Sequence, residues 1–159
     1  MESEPVTISS EENEEGKSLR KSELGEYTSI INKKYLKHNG SYQRLLVMRD
    51  RNGAKGNFII SVHHYDESKE GKRLAGTLQD IFRKNALKRT SDTDGISIFK
   101  DDFSIYLAKN VLPSVTTIDL DNNTESSKNG IPLKHEKSVL TDMITNGILE
   151  DYSKLSFED

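Results

Sequence analysis

Two apolar runs near the middle of the chain limit what it can fold into. Residues 45–48 read Leu-Leu-Val-Met and residues 58–60 read Phe-Ile-Ile, and neither run alternates polar with apolar side chains. Strands that are apolar on both sides are typical of sheets covered on both faces. We therefore predict central strands at residues 42–48 and 58–62.

Asn-Gly pairs flank the first of these runs. Asn39-Gly40 precedes it and Asn52-Gly53 follows it. An Asn-Gly pair between apolar runs indicates a tight hairpin, because both central residues of a type I′ turn need a positive φ. We favour a hairpin at Gly40 over the alternative of a helix that is capped there. The second pair predicts another reversal, which gives three consecutive antiparallel strands.

Apolar residues at helical spacing mark two later segments. Leu74, Leu78 and Phe82 lie on one side of a helix over residues 74–86, and residues 135–152 form a second amphipathic segment with a possible break at Asn146-Gly147. Short apolar runs between the two segments predict further strands at residues 96–99, 103–108 and 115–120.

This order of elements predicts an α+β fold, since strands and helices do not alternate as they do in a parallel α/β sheet. We expect a small antiparallel sheet or an OB-like barrel of five to six strands, with a helix after the third strand and a C-terminal amphipathic helix. The predicted organisation is a disordered acidic tail (1–22), a core domain (23–120), a flexible loop (121–134) and a C-terminal helix with an acidic end (135–159).

The residue inventory argues against catalysis. The chain has no cysteine, which removes disulfides, thiolate metal sites and thiol nucleophiles. His63 and His64 are adjacent on a predicted strand and point to opposite faces, so they cannot chelate one ion together. No phosphate-binding loop, dinucleotide fingerprint or nucleophile elbow occurs. We expect a protein that is not an enzyme and that has no catalytic residue, metal, cofactor or small-molecule substrate.

The acidic N-terminal residues predict the location. Residues 1–15 carry six glutamates and no apolar run, unlike a secretory signal. No stretch approaches the roughly 20 apolar residues that span a bilayer. We expect an intracellular protein of the nucleus or cytoplasm that does not associate with membranes.

Charge is distributed unevenly along the chain. Residues 1–25 carry a net charge of −4, residues 26–110 carry +6 and residues 111–159 carry −5, which together give the net charge of −3. A basic middle between acidic ends is compatible with a solvated surface, and it is also what a polyanion would bind.

Two functions fit these patterns. The first is a non-catalytic protein-interaction subunit, an adaptor or scaffold of an intracellular multiprotein assembly, whose C-terminal helix lies in a groove of another subunit. The predicted partner-binding residues are Val139, Leu140, Met143, Ile144 and Ile148.

The alternative is a module that binds single-stranded nucleic acid on a basic face of the sheet. Proteins of this kind combine cationic grooves with aromatic side chains on which bases stack, and the first half of the chain contains both residue types. The predicted contact residues are Lys33, Lys34, Arg44, Arg49, Arg51 and Lys55.

Overall fold

The computed structural model describes residues 21–50, 57–122, 129–134 and 136–157. The predicted disordered tail therefore lies outside the described residues, apart from its last two positions. The elements in chain order are α1 (Lys21–Lys37), β1 (Arg44–Asp50), β2 (Phe58–His64), α2 (Lys69–Lys84), β3 (Ile96–Ile98), α3 (Asp102–Asn110), β4 (Ser114–Asp121), β5 (Ile131–Leu133) and α4 (Lys137–Phe157).

The five strands form one mixed sheet in the order β1-β4-β2, and β3 and β5 share the far side of β2. β1 runs parallel to β4, and β2 runs antiparallel to β4. β3 lies beside the C-terminal half of β2, where Val62 is opposite Ile96, and β5 lies beside its N-terminal half, where Phe58 is opposite Leu133. The α+β class is confirmed. The prediction of an antiparallel sheet is wrong, because two of the strand pairs are parallel, and the predicted helix after the third strand follows the second strand instead. The sheet is open, and an OB-like barrel is not confirmed.

Helices cover both faces of the sheet. Alternate strand residues such as Leu46, Ile60 and Ile118 point toward α2 and α4, and we call this side the α2/α4 face. It contains the larger apolar core, with these fully buried members from the strands and helices: Ile60, Val62, Leu74, Leu78, Phe82, Ile118, Ile131 and Leu133.

The opposite side, which we call the α1/α3 face, has a smaller apolar core. Its buried members are Ile31, Phe99, Leu107, Val111 and Val115. α3 begins where the Asp101 carboxylate accepts hydrogen bonds from the Ser104 backbone N–H at 3.0 Å and the Ser104 hydroxyl at 2.9 Å. Such a side-chain cap satisfies a backbone donor of the first helical turn.

Two predicted strands are helical in the structure. The segment before Gly40 is helix α1, and Gly40 lies in the turn after it with a φ of 93°. The preferred hairpin is therefore wrong, and the alternative is correct in placing a helix before Gly40. Residues 103–108, predicted as a strand, belong to α3, because the cap at Asp101 starts a helix there.

The prediction of three consecutive antiparallel strands is also wrong, because β4 separates β1 from β2. β4 is buried at all six positions of residues 115–120, whereas no residue of β1 is fully buried. The more buried strand occupies the centre, which moves β1 to the edge. The central place of β2 is confirmed.

The predictions for the helix at residues 74–86 and for the C-terminal helix are confirmed by α2 and α4. α4 continues through Gly147, where a break was possible. A Cβ atom at this position would lie 2.5 Å from Leu78 Cδ2 of α2, so the glycine permits the two helices to pack closely. β5 lies within the segment predicted to be a flexible loop.

Candidate interaction site at the β1 edge

β1 is the terminal strand of the sheet. It pairs along its seven residues with β4, from Arg44 opposite Ser114 to Asp50 opposite Leu120. Within the described ranges no strand pairs with its other side. The backbone N–H and C=O groups of an edge strand can receive another strand. Met48, on the α2/α4 face of this edge, is 49% exposed.

The Arg44 end of β1 is fixed to α4 and α2. The Arg44 guanidinium binds the Asp151 carboxylate at 2.8 Å, and Arg73 of α2 binds the same carboxylate at 2.8 Å. The side chain of Asp151 is 0% exposed and that of Arg44 is 6% exposed. Arg44 also donates to the backbone carbonyl of Glu70 at 2.9 Å. One buried carboxylate thus joins an edge strand to two helices.

Two tyrosines lie beside this ion pair. The Tyr42 hydroxyl donates to Asp151 at 3.2 Å, and the Arg44 guanidinium lies 5.3 Å from the Tyr42 ring centre. Burial is the main cause that raises the pKa of Tyr42, and the Asp151 carboxylate adds to it. Tyr152 packs edge-on against Tyr42 with 4.9 Å between ring centres, and both rings remain exposed.

The other arginine of β1 points to the opposite face. Arg49 binds both oxygens of Asp119 on β4, at 2.6 and 3.0 Å, and reaches Asp101 at 2.8 Å. A guanidinium that binds a carboxylate through two nitrogens has a fixed orientation. Since Asp101 also caps α3, this contact joins β1 to its neighbouring strand and to a helix.

The pKa values around Arg49 reflect this pairing. Burial alone would raise the pKa of Asp119, but hydrogen bonds from His63 and Arg49 outweigh it and hold the pKa below its usual value. Burial also opposes ionisation of Asp101, and bonds from Arg49 and Ser104 lower its pKa in the same way. Burial would lower the pKa of Arg49, and its bonds to the two carboxylates raise it.

His63 of β2 extends this cluster. Its Nε2 lies 3.2 Å from Asp119, and its Nδ1 lies 2.6 Å from the Ser97 hydroxyl. A serine, an imidazole and a carboxylate in series are also the groups of a nucleophilic triad. Here Arg49 binds both oxygens of the Asp119 carboxylate. The carboxylate is therefore less able to orient and stabilise a protonated imidazole. We interpret the cluster as a structural contact between strands.

The predicted partner-binding residues of α4 are mainly part of the chain's own core. Leu140, Met143 and Ile144 are each 8% exposed within the α2/α4 core, and Ile148 packs against that core. Val139 alone of the five is exposed, at 40%. The apolar side of this helix packs against α2 and the sheet, and partner binding through these residues stays a prediction.

The predicted nucleic-acid contacts do not form one basic face. Arg44 and Arg49 point to opposite faces of the sheet, and both are bound by carboxylates. Lys33 and Lys34 belong to α1, where Lys33 is exposed and Lys34 is partly buried. Arg51 and Lys55 lie outside the described residues.

The sequence did not identify Asp151, Asp119 or Met48 as parts of the site at the β1 edge. One signal was available for Arg44 and Arg49. They are five positions apart, and since side chains alternate along a strand, an odd separation places them on opposite faces.

Other kinds of site have little support in the described ranges. No group of three or more histidine, aspartate or glutamate side chains there could hold a metal ion. No helix in this part of the chain is long and apolar enough to cross a membrane. A shallow depression at the end of α2 is lined by Asp80, Arg83, Lys84, Arg89 and Thr90, none of which belongs to the clusters at β1.

The chain matches no protein-family model, no curated protein and no solved structure.

Proposed function

We propose that the protein is a non-catalytic protein-interaction subunit of an intracellular multiprotein assembly, and that it binds by strand addition at β1. The observation that carries this proposal is a seven-residue edge strand whose outer side pairs with no strand of the described residues, and which carries the exposed Met48. In strand addition, backbone hydrogen bonds supply affinity, and alternate side chains supply specificity.

The two arginine contacts support this role. A flexible edge would lose conformational freedom on binding, and that loss weakens an interface. Arg44 fixes β1 to α2 and α4, and Arg49 fixes it to β4 and the start of α3. The edge is therefore ordered before a second strand arrives.

A helix-in-groove contact through α4 has less support, because most of its apolar residues are already packed in the core. Nucleic-acid binding, the alternative, also has less support. Arg44 and Arg49 are neutralised within the chain and face different sides, so of the predicted contact residues that the structure describes, only the two α1 lysines remain.

Site-specific photo-cross-linking tests the proposal. Benzoylphenylalanine replaces Met48 in the full chain, and a matched variant carries it at Leu36 of α1, which is 60% exposed. We expect discrete protein cross-links from position 48 that are absent from position 36, identified by mass spectrometry. Equal labelling from both positions, or none from position 48, contradicts strand addition at β1.

A further inference from the structure

A second site can be inferred at the C-terminal end of α2, away from β1. A depression of about 380 Å³ there is lined by Arg83, Lys84, Arg89, Thr90 and one carboxylate, that of Asp80. We propose that this depression binds a phosphate monoester, a phosphate group carried by a small molecule or by a side chain of another protein. The proposal does not depend on strand addition at β1.

Arg83 has a fixed orientation in this depression. Its Nε donates to the Thr90 hydroxyl at 3.3 Å, and its Nη2 donates to the Asp92 carboxylate at 2.8 Å. These bonds use only part of the N–H donors of the guanidinium and leave the others for a ligand. The Asp92 side chain is 95% exposed, so water screens its attraction for Arg83. A guanidinium with donors to spare fits the oxygens of a phosphate group.

Lys84 and Arg89 supply two further positive charges. Both side chains are exposed, and neither forms a hydrogen bond or an ion pair with any residue that the structure describes. Lys84 is the last residue of α2, where a cation also suits the helix dipole. The dipole does not account for Arg89, because that residue belongs to the loop after the helix. A bound phosphate would compensate both charges together with that of Arg83.

The loop of residues 85–95, which completes the depression, is fixed to the rest of the fold. The side-chain amide of Gln79, itself 7% exposed, donates to the backbone carbonyls of Asp92 and Asp94 at 2.9 and 2.8 Å. The backbone N–H of Leu87 donates to a carbonyl of β5 at 2.9 Å. A site that is ordered in advance loses less conformational freedom when a ligand binds.

The lining favours one phosphate group over a nucleic-acid strand. A monoester carries about two negative charges and three acceptor oxygens at neutral pH, which suits cations that converge on one depression. Asp80 lines the same depression and Asp92 binds Arg83, so both carboxylates would repel the neighbouring phosphates of a strand. The depression is larger than a bare phosphate ion, which leaves room for the group that carries the phosphate.

Titration of the full chain, followed by NMR, tests the proposal. The C-terminal end of a helix repels an anion, so the side chains supply all the attraction and we expect millimolar affinity. The probes are glucose 6-phosphate and a short peptide with one phosphoserine, and the controls are glucose and the unphosphorylated peptide. Saturable shifts of the amides of residues 83–90 with either phosphorylated probe support the site, and the tighter probe identifies the source of the phosphate. No such shifts with either probe overturn the proposal.

Substitutions show whether these side chains bind the phosphate. Lys84→Gln and Arg89→Gln remove no described contact, and each should raise the dissociation constant about threefold. Arg83→Gln removes the oriented guanidinium and should raise it about tenfold. Lys72→Gln, at an exposed position earlier in α2, is the matched control and should leave it unchanged.

Two results would contradict the assignment. Unchanged affinity in both Lys84→Gln and Arg89→Gln would show that the depression does not bind the phosphate. If a single-stranded oligonucleotide shifts the same amides at a lower phosphate concentration than the monoesters do, nucleic acid is the ligand and the monoester is refuted.

Discussion

The two faces of the sheet hold β1 in different ways. On the α2/α4 face, Arg44 meets a carboxylate with a 0% exposed side chain beside the larger apolar core. On the α1/α3 face, Arg49 meets two carboxylates whose side chains are 12% and 36% exposed, beside a smaller core. Arg44 and Arg49 are five positions apart on one strand. The ion pair of Arg44 is shielded from water, whereas the ion pairs of Arg49 are partly hydrated.

This difference indicates a division of roles. A buried ion pair is costly to break, because the remaining charge stays in the interior without a partner. A partly exposed pair is screened by water and contributes less. We therefore expect the α2/α4 face to determine the stability of the fold, and the α1/α3 face to determine how that stability depends on pH.

Asp151→Asn should have the largest effect. The change keeps the side-chain size but removes the charge that faces Arg44 and Arg73, and we expect a loss of about 3–5 kcal/mol in the free energy of unfolding. Urea denaturation monitored by circular dichroism measures it.

Glu150→Gln is the matched control for this change. Glu150 is the preceding residue of α4, is exposed, and lies 4.0 Å from Lys154. Removal of such a surface pair should change the stability by less than about 0.5 kcal/mol. Similar losses for the two variants would show that the burial of Asp151 does not matter.

Two glycines test how tightly α2 and α4 pack. Gly147→Ala places a methyl group 2.5 Å from Leu78, and we expect a loss of about 1–3 kcal/mol. Gly76→Ala in α2 meets no atom within 4 Å and should instead gain about 0.5–1 kcal/mol, because alanine is the better helix former. Thermal unfolding of both variants gives the comparison, and a stabilising Gly147→Ala would refute the close approach.

Asp119→Asn should have a smaller effect than Asp151→Asn at neutral pH, about 1–2 kcal/mol, since Arg49 keeps its contact with Asp101. Its signature is the pH dependence. Because the folded-state pKa values of Asp119 and Asp101 are lowered, each carboxyl adds stability above its unfolded pKa of about 3.9. That contribution is lost as the pH falls through the lower folded-state value.

Urea titrations at pH values from about 5 down to 2.5 measure this dependence. We expect Asp119→Asn to lose less stability over this range than the unmodified protein. Asp142→Asn, a change at an exposed position of α4, is the control and should follow the unmodified curve. An unchanged slope for Asp119→Asn would contradict the role given to the α1/α3 face.

Local patterns predicted the elements whose apolar residues follow one clear pattern. The spacing of Leu74, Leu78 and Phe82 identified α2, and the run that contains Val115 identified β4. α1 was missed because Asn39-Gly40 was interpreted as a hairpin turn, and α3 was missed because the apolar run at residues 103–108 was interpreted as a strand. Both errors concern short-range signals that were present in the sequence.

The arrangement of the strands and the site could not be predicted in the same way. The partners Arg44 and Asp151 are 107 residues apart, and Arg49 and Asp119 are 70 apart. Nothing in the local sequence of either arginine specifies such a partner. The packing of α4 against α2 brings Asp151 to the edge strand, and the insertion of β4 between β1 and β2 brings Asp119 there.

That insertion also has a consequence for the order of events in folding. β1 and β2 are synthesised early, but neither can complete its pairing until β4 has emerged about 50 residues later and entered between them. Sheets built from such distant segments fold slowly, because a long loop must close before its contacts form. On the ribosome, we expect β1 to stay unpaired, and β2 to lack one of its neighbours, until the segment that separates them has been synthesised.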